Sequence, residues 1–77
     1  MVFRFVVLSK MNITLNHNPE TIGSEHITVS ELLRLKNFTF RMLIVRINGK
    51  LVMKADFEKA VIVDGDDVQV LHLISGG

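Results

Sequence analysis

The residues best placed to do chemistry close the sequence: Ser75-Gly76-Gly77, reached through an apolar run from Val68 to Ile74. Glycine has no Cβ, so a Gly-Gly tail can take almost any φ/ψ and pass through a channel too narrow for another residue. A terminal carboxylate, with a reference pKa of about 3.3 to 3.7, is ionised at neutral pH and is a poor electrophile. Adenylation by ATP would activate it, because attack on an acyl-adenylate expels AMP rather than hydroxide. The expected reactive group is therefore the Gly77 carboxylate, with Gly76 and Ser75 as the tail that carries it. Terminal glycines are also common as simple fray, so the reading depends on what precedes them.

No other side chains compete for a chemical role. The sequence has no cysteine, which removes disulfides, thiolate catalysis and cysteine-ligated metals or clusters. His17, His26 and His72 are too scattered to suggest a metal site, and each reads as a solvated histidine. Asp64, Asp66 and Asp67 could attract a cation, but Asp-Gly-Asp is more economically a turn. There is no nucleophile–base constellation, phosphate loop or catalytic carboxylate pair, so the chain is expected to be a co-substrate rather than an enzyme.

The tail needs a folded body behind it. Seventy-seven residues make one small domain, and 48% apolar against 22% charged residues is enough for a packed core. A net charge of +1, with lysines and arginines dispersed, argues against nucleic acid as a partner. No apolar run approaches the roughly 18 residues that span a bilayer. Without cysteine, signal peptide or span, the expected compartment is the cytoplasm. Residues 1–10 stand apart: Val2 to Leu8 is β-prone, weakly charged and sticky if exposed, and Met11 follows at once. The domain is expected to run from 11 to 77, with 1–10 an extension of unknown role and Met11 the favoured translation start.

Met11 to Asn16 alternates apolar and polar, the period of a half-buried strand with Met11, Ile13 and Leu15 inside. His17-Asn18-Pro19 breaks the pattern and predicts a hairpin whose return strand lies between Glu20 and Ile27, interrupted at Gly23-Ser24. Thr28-Val29-Ser30-Glu31 spells a capping box, so a helix starts there with Val29, Leu32, Leu33 and Lys36 on one face and Asn37 as a left-handed stop. Phe38 and Phe40 are expected to pack where the helix turns back. Met42 to Ile47 reads as a central strand, Asn48-Gly49 as a type I′ turn and Leu51 to Met53 as the return. Lys54 to Lys59 is an irregular or 3₁₀ connection anchored by Phe57. Val61 to Val63 leads into the Asp64-Gly65-Asp66 turn, and Asp67 to Ile74 forms the last strand. The predicted class is α+β, a small mixed sheet packed on one main helix in the β-grasp, or ubiquitin-like, arrangement. With Val68 and Val70 inside, Leu71 and Leu73 fall on the opposite face beside the tail, where exposed apolar residues often mark a partner surface.

In this order, Met11-Asn12-Ile13-Thr14-Leu15-Asn16, Thr28-Val29-Ser30-Glu31-Leu32-Leu33, Val45-Arg46-Ile47-Asn48-Gly49, Asp64-Gly65-Asp66 and the final Gly76-Gly77 resemble the ThiS/MoaD family of sulfur carrier proteins. The resemblance covers residues 11–77. It implies a carrier that binds no cofactor itself. A ThiF-like, ubiquitin-activating-type adenylyltransferase would adenylate Gly77 with ATP, a sulfur donor fed by a cysteine desulfurase would form the thiocarboxylate, and a ThiG-like thiazole synthase would take the sulfur. Molybdopterin synthase small subunits usually carry a proline just before their glycines, where this chain has Leu73-Ile74-Ser75, so the resemblance favours the thiamin-thiazole branch. The molybdopterin subunit and a ubiquitin-like modifier remain the alternatives.

Overall fold

A computed structural model describes residues 10–39 and 42–72. The first strand, β1 (Met11–Leu15), buries Met11, Ile13 and Leu15 as its alternation predicts. Asn16 and His17 then both take positive φ, 51° and 69°, the requirement of a two-residue hairpin turn. This tight turn lets β2 (Asn18–Ile22) begin earlier than the sequence suggested and take in Pro19. Proline is tolerated there because β2 is an edge strand. Pro19 faces Thr14, one step beyond the pair that closes the turn, so its missing N–H would have pointed away from β1.

After residues 23–25 the chain forms β3 (His26–Thr28), which pairs antiparallel with β6 (Val61–Val63) as a separate two-stranded ribbon. The sequence reading treated Val61–Val63 only as a lead into a turn. Three-residue strands show too little alternation to be read from pattern, whereas in three dimensions Ile27 and Ile62 face each other and are both buried.

The helix α1 (Val29–Leu35) starts with the predicted capping box. The Glu31 amide donates to the Thr28 hydroxyl at 3.1 Å, and the Thr28 amide donates to the Glu31 carboxylate at 2.8 Å. The second bond is the main cause holding the Glu31 pKa below its ordinary value of 4.5; a smaller desolvation effect opposes it, and the Thr28 side chain, Arg34 and His26 add to the lowering. A carboxylate with a depressed folded pKa contributes stability that is present above its unfolded pKa and lost as pH falls through the folded one. Thr28→Ala should cost about 1 kcal/mol through the lost hydroxyl cap. Because alanine keeps the backbone amide that dominates the Glu31 shift, most of the gap from wild type should persist as the solution is acidified below the ordinary glutamate range. Urea denaturation of both proteins at neutral and acid pH measures this, and a gap that closes at acid pH contradicts the backbone amide as the main cause.

Asn37, at φ 59°, ends the helix as expected, and Phe38 packs against the core. Phe40 lies outside the described residues. Lys36 extends from the helix end to Glu20 on β2, with Nζ 2.7 Å from the carboxylate. Both groups are partly exposed, so this tie contributes at most about 1 kcal/mol.

Strand β4 (Leu43–Ile47), the turn at Asn48 and Gly49 (φ 52° and 82°) and β5 (Lys50–Val52) make the second hairpin. β5 starts and ends one residue before the expected return strand. A 3₁₀ turn at Lys54–Asp56 follows, with Phe57 packed on the core. β6 and a turn with Gly65 at φ 89° lead into β7 (Asp67–His72).

The larger sheet has the order β2-β1-β7-β4-β5, with β1 and β7 parallel and the other pairings antiparallel. One face carries Met11, Ile13 and Leu15 from β1, Val68 and Val70 from β7 and Val45 from β4 into a single core with Val29 and Leu32 of the helix and Ile27 and Ile62 of the ribbon. First and last strands thus lie side by side within the sheet, which puts the outgoing end of β7 at the rim of the folded body.

Candidate functional site: the outer sheet face and the outlet of the last strand

Because side chains alternate along a strand, burial of Val68, Val70 and Val45 turns their neighbours to the other face of the sheet. Leu71 stands on this outer face, 42% exposed, opposite to the buried Val68 and Val70 as the alternation predicts. It faces Ile44 across the β4–β7 ladder, and the next outer row aligns Gln69, Arg46 and Leu51. Leu51 and Met53 are exposed along β5 and just past it, and Met42 just before β4. The result is an apolar area on the β7-β4-β5 half of the sheet, interrupted by Arg46. The β1-β2 half is polar, with the Thr21 hydroxyl donating to Asn12 Oδ1 at 2.8 Å.

The sequence reading identified Leu71 but not Ile44, Leu51 or Met53 as its companions. The signal was the alternation within Met42–Ile47 and Leu51–Met53; the missing quantity was the strand register that sets Ile44 against Leu71. Leu73, Ser75, Gly76 and Gly77 lie outside the described residues.

β7 emerges beside this face. β4 pairs with it up to His72, whereas β1 runs alongside only to Val68. The gap on the β1 side is partly filled by Asn16, whose Oδ1 accepts from the Val70 amide at 2.7 Å.

The acidic turn belongs to the opposite end of the strand. Asp66 accepts from the Val63 amide at 2.9 Å and from Asn48 Nδ2 at 3.0 Å, while Asn48 Oδ1 accepts from the Asp67 amide at 2.9 Å. Asp64 accepts from the Asn12 amide at 2.6 Å, and the Gly65 amide donates to the Asn12 carbonyl at 2.8 Å. These groups knit both hairpins to the start of β7, so Asp-Gly-Asp is a structural turn. Among the described residues, no three His, Cys, Asp or Glu side chains are grouped to hold a metal. There is likewise no cavity there in which a substrate could be enclosed. No described helix is long and apolar enough to cross a membrane.

A mixed five-stranded sheet with parallel first and last strands, one helix across its inner face and an apolar outer face beside the strand outlet defines a ubiquitin-like β-grasp domain. The sequence profile of the ThiS family matches residues 12–77. The chain belongs to the ThiS family. It is similar to the crystal structure of the thiamine biosynthesis protein ThiS from Geobacter metallireducens, with 36% identity and a TM-score of 0.76 over 87% of this chain and 100% of that one. It is also similar to the solution structure of a thiamine biosynthesis protein from Geobacter metallireducens, with 32% identity and a TM-score of 0.68 over 87% of this chain and 88% of that one.

Proposed function

We propose that this protein is a cytoplasmic sulfur carrier for thiazole formation in thiamin biosynthesis, with Gly77 as the group that is loaded. The observation that carries the reading is family membership across residues 12–77, a span that includes the Ser75-Gly76-Gly77 tail. In the first step a Gly77 carboxylate oxygen attacks the α-phosphorus of ATP and expels pyrophosphate. The terminal sulfur of a persulfide on a donor fed by a cysteine desulfurase then attacks the acyl carbon, and AMP leaves. A thiol of the donor or the partner enzyme attacks the other sulfur of the resulting acyl disulfide, so that the S–S bond breaks, a new disulfide forms and the carrier is released. The product is a C-terminal thiocarboxylate, from which a ThiG-like thiazole synthase takes the sulfur. The adenylation belongs to a ThiF-like partner; this chain contributes the acyl group and the surface by which it is held.

The outer face supports that division of labour. Leu71, Ile44, Leu51 and Met53 offer apolar area beside the strand that leads to the tail, so docking energy gathered there can position a carboxylate whose own two glycines carry no side chain to anchor it. Leu73, which lies outside the described residues, is proposed from the sequence alternation alone as a second docking residue. Residues 11–77 form the carrier domain and 1–10 an extension outside it.

Incubation with ATP, the adenylyltransferase and the sulfur source, followed by intact-protein mass spectrometry, tests the reading. A carrier gains the mass difference between sulfur and oxygen at its C-terminus. Amide linkage to lysines of other proteins would identify a modifier instead, and transfer of the sulfur to a pterin precursor rather than to thiazole would identify the molybdopterin branch.

A further inference from the structure

We infer that Asn16 is a positioning residue that aims the outgoing end of β7. This rests on the carrier reading and deepens it. In the parallel β1–β7 ladder the Thr14 amide donates to the Asp66 carbonyl at 3.0 Å and the Asn16 amide to the Val68 carbonyl at 2.9 Å. The next rung needs an acceptor for the Val70 amide, but β1 has by then turned away into the Asn16–His17 turn. The Asn16 side chain supplies that acceptor at 2.7 Å, so a carboxamide oxygen stands where a backbone carbonyl would continue the ladder. The residue meets two demands at once, since asparagine also accepts the left-handed backbone, here φ 51°, more readily than most residues. A longer contact, 3.5 Å between Gln69 Nε2 and His17 Nε2, joins the same turn to the same strand.

Beyond Val70, the described ladder holding β7 is the one to β4, through Ile44 with Leu71 and Leu43 with His72. A two-stranded ribbon twists more freely than a strand flanked on both sides. Without the Asn16 rung, the Leu71–His72 end of β7 can swing about β4, and an adenylyltransferase must select the competent exit direction from a wider set. That selection weakens productive binding, while the acyl-transfer chemistry at Gly77 is untouched.

Two variants separate this role from a general loss of structure. Asn16→Gly tolerates the positive φ but removes the acceptor, whereas Asn16→Asp retains a side-chain oxygen at the same reach. Hydrogen exchange of the Val70 amide, followed by NMR, should accelerate about fivefold in the glycine variant, the factor expected from one net hydrogen bond. KM for the carrier in ATP-dependent adenylation should rise by a similar factor with kcat unchanged, and the aspartate variant should restore both. Wild-type exchange and KM in the glycine variant, a loss confined to kcat, or failure of aspartate to rescue would each overturn the role. A wild-type protein that is never adenylated overturns the carrier reading and the aiming role with it, and is distinguished by the absence of any acyl-adenylate or thiocarboxylate mass.

Discussion

Deleting Gly77 should abolish acceptance of sulfur and leave the folded domain intact. The core comprises residues from Met11 to Val70, and each of its members lies before the tail. Removing a residue that follows all of them in the chain should change stability by no more than about 0.5 kcal/mol, the range of ordinary surface changes. The chemical consequence should be complete by contrast, because on the proposed mechanism the shortened chain would present its carboxylate one residue short of the position the partner's active site requires. An effective molarity built on placement is lost with a displacement of this size. The paired measurement is intact mass after incubation with ATP, the adenylyltransferase and the sulfur source, alongside a thermal melt. Sulfur acceptance at the wild-type rate would remove Gly77 from the mechanism, and a large fall in melting temperature would make the tail structural.

Leu32→Ala should produce the opposite pattern. Leu32 is fully buried, and with Val29 it is one of the two buried anchors of the helix. Truncation of such a leucine costs roughly 2 to 5 kcal/mol, from the lost transfer energy and the cavity left behind. A domain of this size is expected near the lower end of the roughly 5 to 15 kcal/mol typical of folded proteins, so the variant should be largely unfolded well before the wild-type urea midpoint. Leu32→Met, which conserves volume, should cost less than about 1.5 kcal/mol. Sulfur loading of the alanine variant should then track its folded fraction. The two experiments together separate a body that must be folded from a tail that must be present, and a Leu32→Ala protein with a wild-type midpoint would contradict the assignment of the core.

The features legible in the sequence are those whose physical cause is local. The alternation of Met11, Ile13 and Leu15, the Thr28–Glu31 capping box, the Asn37 stop and the Asn48-Gly49 turn each follow from a few consecutive residues and appear where the pattern placed them. The β3–β6 ribbon was not legible because each strand has three residues and its stability comes from Ile27 and Ile62 meeting across a separation of 35 positions in the chain. Pro19 was misread for a related reason. Its effect depends on whether the strand that holds it is an edge, and that is a property of the sheet.

Residue order alone was sufficient to specify the helix, most of the strands, the class of fold and the inward and outward faces of β7, since dihedral preference and periodicity act within a few residues. Tertiary structure decided which outward residues stand together: Ile44 beside Leu71, Leu51 beside Arg46 and Asn16 at the end of a ladder it completes with its side chain. Those neighbours are set by strand register and strand order, which depend on burying all of the inner face at once and are written in no single stretch of the chain.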